Sequence, residues 1–204
     1  ARSDVFDYFG FTIFVGRQGS GKTISMVHYL DMVHQRFPDA FIVTNFSYSN
    51  ATHVMSSWKD FFEIRNEERG VVFAIDEIHG EYSAKEWKDF PEALLSQISQ
   101  QRKQRVKIIA SAQVYNRVVK QIREQAFSVM VCRTFLGRLT WYREYDAAEY
   151  DTSGDSAYNV KKRCKPIRTC YFVQSNRLRS SYDTFEVIER LKGREFIPRD
   201  QRGH

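Results

Sequence analysis

Apolar positions recur along the first two thirds of this chain in two alternating rhythms. Short runs of β-favouring residues at Phe11–Val15, Ala40–Val43, Val71–Ile75, Val106–Ala110 and Phe127–Arg133 read as strands, the unbroken ones buried on both faces. Between them Met26, Leu30, Val33 and Phe37 fall at helical spacing over residues 22–37, and Pro38 stops the pattern. His53–Arg65 is amphipathic and predicts a helix. Pro91 can open another that runs to about Lys103, and Val114–Glu124 predicts a further one. Strands alternating with helices imply parallel strands joined by crossovers, an α/β domain of three layers.

After Thr134 the rhythm changes. Leu139–Tyr145 alternates apolar and polar side chains and forms a hairpin with 127–134 through Leu136-Gly137. Residues 147–163 read as a mobile loop, Cys170–Val173 as a last strand and Thr184–Leu191 as a short closing helix. No repeat or low-complexity tract divides the chain. The expectation is one domain over 1–204, with a core at about 10–135 and a C-terminal hairpin extension at about 136–204.

Composition narrows the class without naming a function. With 204 residues, 42% hydrophobic and 27% charged, the chain matches an ordinary globular domain and excludes a disordered, collagen-like or heptad-rod protein. The longest apolar run, Val71–Ile75, is far short of the ~20 residues a membrane helix needs. Cys132, Cys164 and Cys170 are odd in number and form no C-x-x-C pair, which fits buried thiols in a reducing compartment. No basic-then-apolar signal pattern and no initiator methionine lead the chain, so a cytoplasmic location is expected, with flanking segments removed.

Charge adds an asymmetry. Residues 1–100 carry 9 Lys and Arg against 14 Asp and Glu, whereas 101–204 carry 22 against 11. A basic C-terminal half suits a polyanion, because Lys and Arg neutralise phosphates. Lys161, Lys162, Arg163 and Lys165, near Tyr158, form the candidate DNA-contacting loop, with a solvated basic surface as the alternative. Most of the thirty aromatic residues, Phe9, Phe11, Phe14, Phe41 and Phe73 among them, sit in or beside apolar strands and are expected in the core.

The chemistry concentrates at three strand ends. Gly16-Arg17-Gln18-Gly19-Ser20-Gly21-Lys22-Thr23 matches G-x-x-x-x-G-K-[ST] between a strand and a helix. Its glycines let successive N–H groups converge on an anion, Lys22 adds a cation for the β- and γ-phosphates, and Thr23 offers a hydroxyl to Mg²⁺. ATP and Mg²⁺ are therefore the expected cofactors. Val71–Ile75 ends in Asp76-Glu77, which places Asp76 to hold the metal and Glu77 to act as general base. Val106–Ala110 leads to Gln113, a candidate for the γ-phosphate or its water, with Ser111 as the lesser one. Arg102, Lys103 and Arg105 either complement a helix end or include an arginine finger for a neighbouring subunit.

These segments, together with Thr44-Asn45 after the second strand and Gln101-Arg102-Lys103 before the fourth, resemble the Zot-like (zonular occludens toxin domain) P-loop ATPases of filamentous phages. That family lies within the FtsK–HerA group of DNA-pumping motors. The resemblance covers about residues 10–135. It implies a RecA/ASCE-like, mainly parallel sheet and a hexameric ring at the inner face of the cell membrane. It also implies phage assembly with export of single-stranded DNA, and membrane or phage assembly partners reached through segments outside this chain. Arg102 matches the family's finger position better than Arg105. Alternatives remain a packaging ATPase for double-stranded DNA, a nucleotide or small-molecule kinase with Arg133, Arg138 and Arg143 as its lid, and a nucleotide-dependent scaffold.

Overall fold

The structure is a computed structural model and describes residues 6, 8–55, 59–78, 105–152 and 164–183. Among the described residues, ten strands lie in two sheets. In chain order they are β1 (Gly10–Val15), β2 (Phe41–Thr44), β3 (Ser47–Tyr48), β4 (His53–Val54), β5 (Val71–Ile75), β6 (Val106–Ala112), β7 (Ala126–Phe135), β8 (Leu139–Asp146), β9 (Arg168–Val173) and β10 (Tyr182–Asp183). The main sheet has the order β4-β2-β5-β6-β1-β7-β8-β9, and β10 pairs with β3 beside it. From β4 to β7 all pairs are parallel, and β8 and β9 then join antiparallel. This is the three-layer α/β sheet of P-loop nucleotide hydrolases, extended by a C-terminal hairpin.

Period-two alternation sends successive strand residues to opposite faces. Val72, Ala74, Phe14 and Ile109 pack against Ile24, Val27, Leu30 and Val33 of helix α1 (Lys22–Arg36). Phe73, Ile75, Ile13 and Ile108 pack on the other face with Phe61, Tyr115, Val118 and Tyr150. The strand inserted between β1 and the acid-bearing β5 is β6. The phosphate loop, Asp76 and Gln113 consequently share one edge of the sheet.

Several expectations need correction. His53–Arg65 is not a helix: its start pairs with β2, because Thr52 brackets Ile42 through hydrogen bonds at 2.9 and 3.0 Å, and only α2 (Asp60–Glu63) is helical among its described residues. Val114–Glu124 breaks into a 3₁₀ turn at Tyr115–Arg117 and α3 (Lys120–Arg123), since Val118 and Val119 between them are extended, and burying Val118 takes precedence over helical continuity. The stretch read as a loop opens with α4 (Ala147–Thr152), whose first N–H groups are capped by Asp146 at 3.0 Å. The last long strand begins at Arg168 rather than Cys170, and β3 and β10 were not legible at all. Phe9 lies 37% exposed against Phe127 instead of in the core. The helices expected at Pro91–Lys103 and Thr184–Leu191 lie outside the described residues. Cys132 and Cys164 are buried and Cys170 is half-buried, all as free thiols. Among the described residues no helix is long and apolar enough to cross a membrane.

Candidate functional site

The phosphate loop runs from the end of β1 into α1. Gly21 caps the helix in the left-handed region (φ 86°), and a side chain there would collide with the Thr134 hydroxyl. Arg17, Gln18 and Gly19 are exposed at the loop's crest, while Gly16, Ser20, Gly21 and Thr23 are half-buried. Lys22 is buried and donates to the Arg17 carbonyl at 3.3 Å. The Ser20 hydroxyl oxygen is buried without a hydrogen-bond partner. An ammonium with donors to spare and an orphaned hydroxyl, set at a helix N-terminus, are the donor set that an oxyanion satisfies.

Asp76 stands at the centre. Its carboxylate accepts from Thr23 Oγ1 at 3.0 Å on one oxygen and from the Ser111 hydroxyl on the other. Its main chain is clamped by Asn45, which donates Nδ2–H to Asp76 O at 3.1 Å and accepts from Asp76 N at 2.8 Å. Burial pushes the Asp76 carboxyl above its ordinary value, and the Ser111 and Thr23 hydrogen bonds pull it back. No cation forms an ion pair with it among the described residues. Two hard oxygen donors under a phosphate loop, one of them a carboxylate, fit a magnesium ion.

Glu77 adopts a left-handed backbone (φ 51°), rare for a residue with a side chain and a local cost of about 1–3 kcal/mol. Ser111 holds the turn there: its hydroxyl accepts from Glu77 N at 2.8 Å and its carbonyl accepts from Ile78 N at 3.0 Å. Gln113 Nε2 donates to Glu77 Oε1 at 3.4 Å. The predicted residues Lys22, Thr23, Asp76, Glu77 and Gln113 thus gather at one sheet edge.

Other candidates stand elsewhere. Arg105 precedes β6 at the opposite edge of the sheet, where its carbonyl accepts from Val71 N at 3.1 Å. Arg102, Lys161, Lys162 and Arg163 lie outside the described residues, and Lys165 is exposed three residues before β9. Arg133 and Arg143 share one face of the hairpin extension, whereas Arg138 donates to Asn176 at 2.9 Å. No sequence signal pointed to the prop behind the loop. There the Thr134 hydroxyl donates to Ser20 O at 3.1 Å and pairs with Thr140 at 2.8 Å, and Gln174 Nε2 donates to Thr140 at 2.8 Å. Asn45 was visible only through its place after the second strand.

A family model described as the ATPase family associated with various cellular activities (AAA) matches residues 12–133. Among solved structures, the N-terminal domain of zonular occludens toxin from Neisseria meningitidis has a TM-score of 0.60 at 14% identity, over 86% of this chain and 99% of that one. Thermomonospora curvata EccC (ATPases 2 and 3), in complex with a signal sequence peptide, has a TM-score of 0.51 at 11% identity, over 83% of this chain and 38% of that one. These two likenesses establish a shared fold. The genome packaging NTPase B204 from Sulfolobus turreted icosahedral virus 2, in complex with ATP-gammaS, has a TM-score of 0.43 at 19% identity, over 62% and 76% of the two chains. No curated protein sequence matches the chain.

Proposed function

The chain belongs to the ATPase family associated with various cellular activities, and from that premise we propose that it is an ATP-hydrolysing motor for phage or virion assembly and export or DNA translocation. It works as a ring of identical copies, six by family resemblance, on single-stranded DNA. One observation carries the reading: Asp76 and Glu77 are held in fixed orientation beside Lys22 and Thr23 by Asn45, just past β2, and Ser111 from β6. A rigid acid pair at a phosphate loop serves hydrolysis, in which water is the acceptor. The fold shared with the zonular occludens toxin domain supports placing this motor among the phage assembly ATPases that the sequence resembles.

In this reading the N–H groups of residues 16–23 and the Lys22 ammonium bind and orient the phosphates of ATP. Thr23 and Asp76 hold magnesium, which when bound neutralises charge on the β- and γ-phosphate oxygens. Glu77 accepts the proton of the attacking water at its carboxylate, and Gln113 fixes that carboxylate and meets the γ-phosphate or the water. Arg105 lies at the sheet edge opposite its own loop and does not contribute in cis; of the candidate fingers in the sequence, Arg102 first and Arg105 second, one acts on a neighbour's phosphate. Lys161, Lys162, Arg163 and Lys165 contact the DNA backbone. The full chain, 1–204, acts as one ATPase domain at the inner face of the membrane.

Phosphate release measured with and without single-stranded and duplex DNA tests the reading. DNA-stimulated hydrolysis is expected. Loss of ATP that requires a small-molecule acceptor, without free phosphate, would replace the motor by a kinase.

A further inference from the structure

The second half of α1 roofs a cavity that the phosphate site does not use. Its volume is about 430 Å³, within the range of small-molecule sites. Tyr29, Met32, Val33 and Arg36 line it from the helix, at the i, i+3, i+4 and i+7 positions that share one face. The sheet contributes Thr12 on β1, Lys107 on β6 and Met130 on β7. Register then sets Glu144 of β8 beside Met130 and Arg168 of β9 beside Glu144. Met32, 41% exposed, stands at the mouth with the exposed Arg36 and Arg168.

The charges around this cavity do not balance. Lys107, Arg36 and Arg168 surround a single carboxylate, Glu144, which Arg168 engages at 3.0 Å. Arg36 donates to the Tyr8 hydroxyl at 3.1 Å and lies over the Tyr8 and Phe37 rings at the mouth. Lys107 stands deeper. It donates to the Thr12 hydroxyl at 2.7 Å and to the Phe9 carbonyl at 3.5 Å, and it makes no ion pair among the described residues. An ammonium has three donors, so one remains. Burial pushes Lys107 from 10.5 down to about 8, Glu144 opposes that shift and Arg168 adds to it. The Tyr29 hydroxyl, which also lines the cavity, makes no hydrogen bond among the described residues.

We propose that this cavity is a second ligand site, which takes a small aromatic carboxylate with its anionic head on Lys107 and its ring among Tyr8, Tyr29, Met32 and Met130. The site goes beyond the motor reading and does not depend on it. One interior cation with a donor to spare matches one negative charge. A phosphate carries about 1.5–2 charges at pH 7 and meets repulsion from Glu144. Thioethers and tyrosine rings favour a flat ring as the apolar body. An anion beside Lys107 stabilises the ammonium and raises its pKa. Binding above pH 8 therefore takes up a proton, and affinity falls as pH rises. The helix α1 joins the two sites, since it begins at Lys22 in the phosphate loop and ends at Arg36.

The test is calorimetric titration of the full chain with cinnamate, beside its neutral amide, cinnamamide, and inorganic phosphate. Cinnamate should bind at pH 7, with cinnamamide and phosphate weaker by about 10–100-fold, the worth of a hydrogen bond to a charged group. Lys107→Met should lose cinnamate binding by a similar factor, and Lys22→Ala should leave it unchanged. Met32→Glu at the mouth should weaken binding and Met32→Lys should keep it, a difference that lost packing does not produce. In wild type, proton uptake at pH 9, read from buffers of different ionisation enthalpy, should accompany binding, and it should vanish in Lys107→Met. If wild type does not bind cinnamate, or Lys107→Met binds it equally well, the proposal is overturned. Loss of binding in Lys22→Ala would place the ligand in the phosphate loop, and tighter binding of phosphate would exclude the carboxylate. If Lys107→Met lowers the sedimentation mass while cinnamate does not bind, the cavity receives a neighbouring copy and the proposal falls.

Discussion

Ser111 carries more of the site than a serine at the end of a strand suggests. One hydroxyl supports the Asp76 carboxylate and the Glu77 amide, and the same residue's carbonyl supports Ile78. Ser111→Ala should cost about 1–3 kcal/mol of stability, because it leaves buried polar groups unpaired, and it should lower turnover more than ATP affinity. Urea unfolding and steady-state kinetics together check this. Glu77→Gln should keep nucleotide binding and lose hydrolysis by about 10²–10⁴-fold; phosphate release at near wild-type rate would remove Glu77 as the base. Lys107 provides a test away from the phosphates. Its ammonium donates to Thr12 at 2.7 Å in a pocket with Tyr8, Tyr29 and Arg36. Burial pushes it from 10.5 down to about 8, Glu144 opposes that shift and Arg168 adds to it. Between pH 8 and 10.5 the unfolded chain holds a proton there that the native chain has released, so stability rises with pH across that window. Lys107→Met should raise stability at pH 7 by on the order of 1–3 kcal/mol and abolish that rise, as denaturation at pH 7 and pH 10 would report.

At the scale of elements, the phosphate loop is propped from behind by strands that follow it by more than a hundred residues. Thr134 on β7, Thr140 on β8 and Gln174 just past β9 form a hydrogen-bonded chain ending at Ser20 O. Thr134→Val keeps the shape and removes the donor. It should weaken ATP binding about fivefold, the worth of one net hydrogen bond, with little effect on turnover at saturation. Titration with a fluorescent ATP analogue measures it. The elements misread from the sequence were those whose fate a distant strand decided. His53 and Val54 are extended because the edge of β2 offered them backbone partners, and Val118 is extended because its side chain enters the core beside Tyr115 and Ile122.

For the whole molecule, β6 runs from Arg105 at one edge of the sheet to Ser111 and Gln113 at the other. Arg105 and the phosphate loop of the same copy are therefore on opposite edges, and a neighbouring copy is needed to bring those two together. Arg102→Ala should bind ATP normally and lose turnover by roughly 10³–10⁵-fold. Mixed with Lys22→Ala, itself inactive, it should recover part of the activity, since some intact loops then face an intact arginine. Phosphate release from co-assembled mixtures decides the matter, and no recovery would exclude a trans role for Arg102.

The sequence by itself determined the five long strands of the parallel core, the first helix, the hairpin and the residues of the phosphate loop with Asp76, Glu77 and Gln113. It did so because these depend on local information: a run of buried β-branched residues, a 3.6-residue period, glycines spaced around an anion. Tertiary structure alone decided that β6 sits between β1 and β5, which turns Ser111 from the lesser candidate for the γ-phosphate into the staple of the acid pair. It also decided that Asn45 clamps Asp76, that Thr134, Thr140 and Gln174 stand behind Ser20, and that Arg133, Trp141 and Tyr171 form one row. Each of these is a meeting of residues from different strands, set by sheet order and register. Neither quantity is written in the neighbours of any one residue.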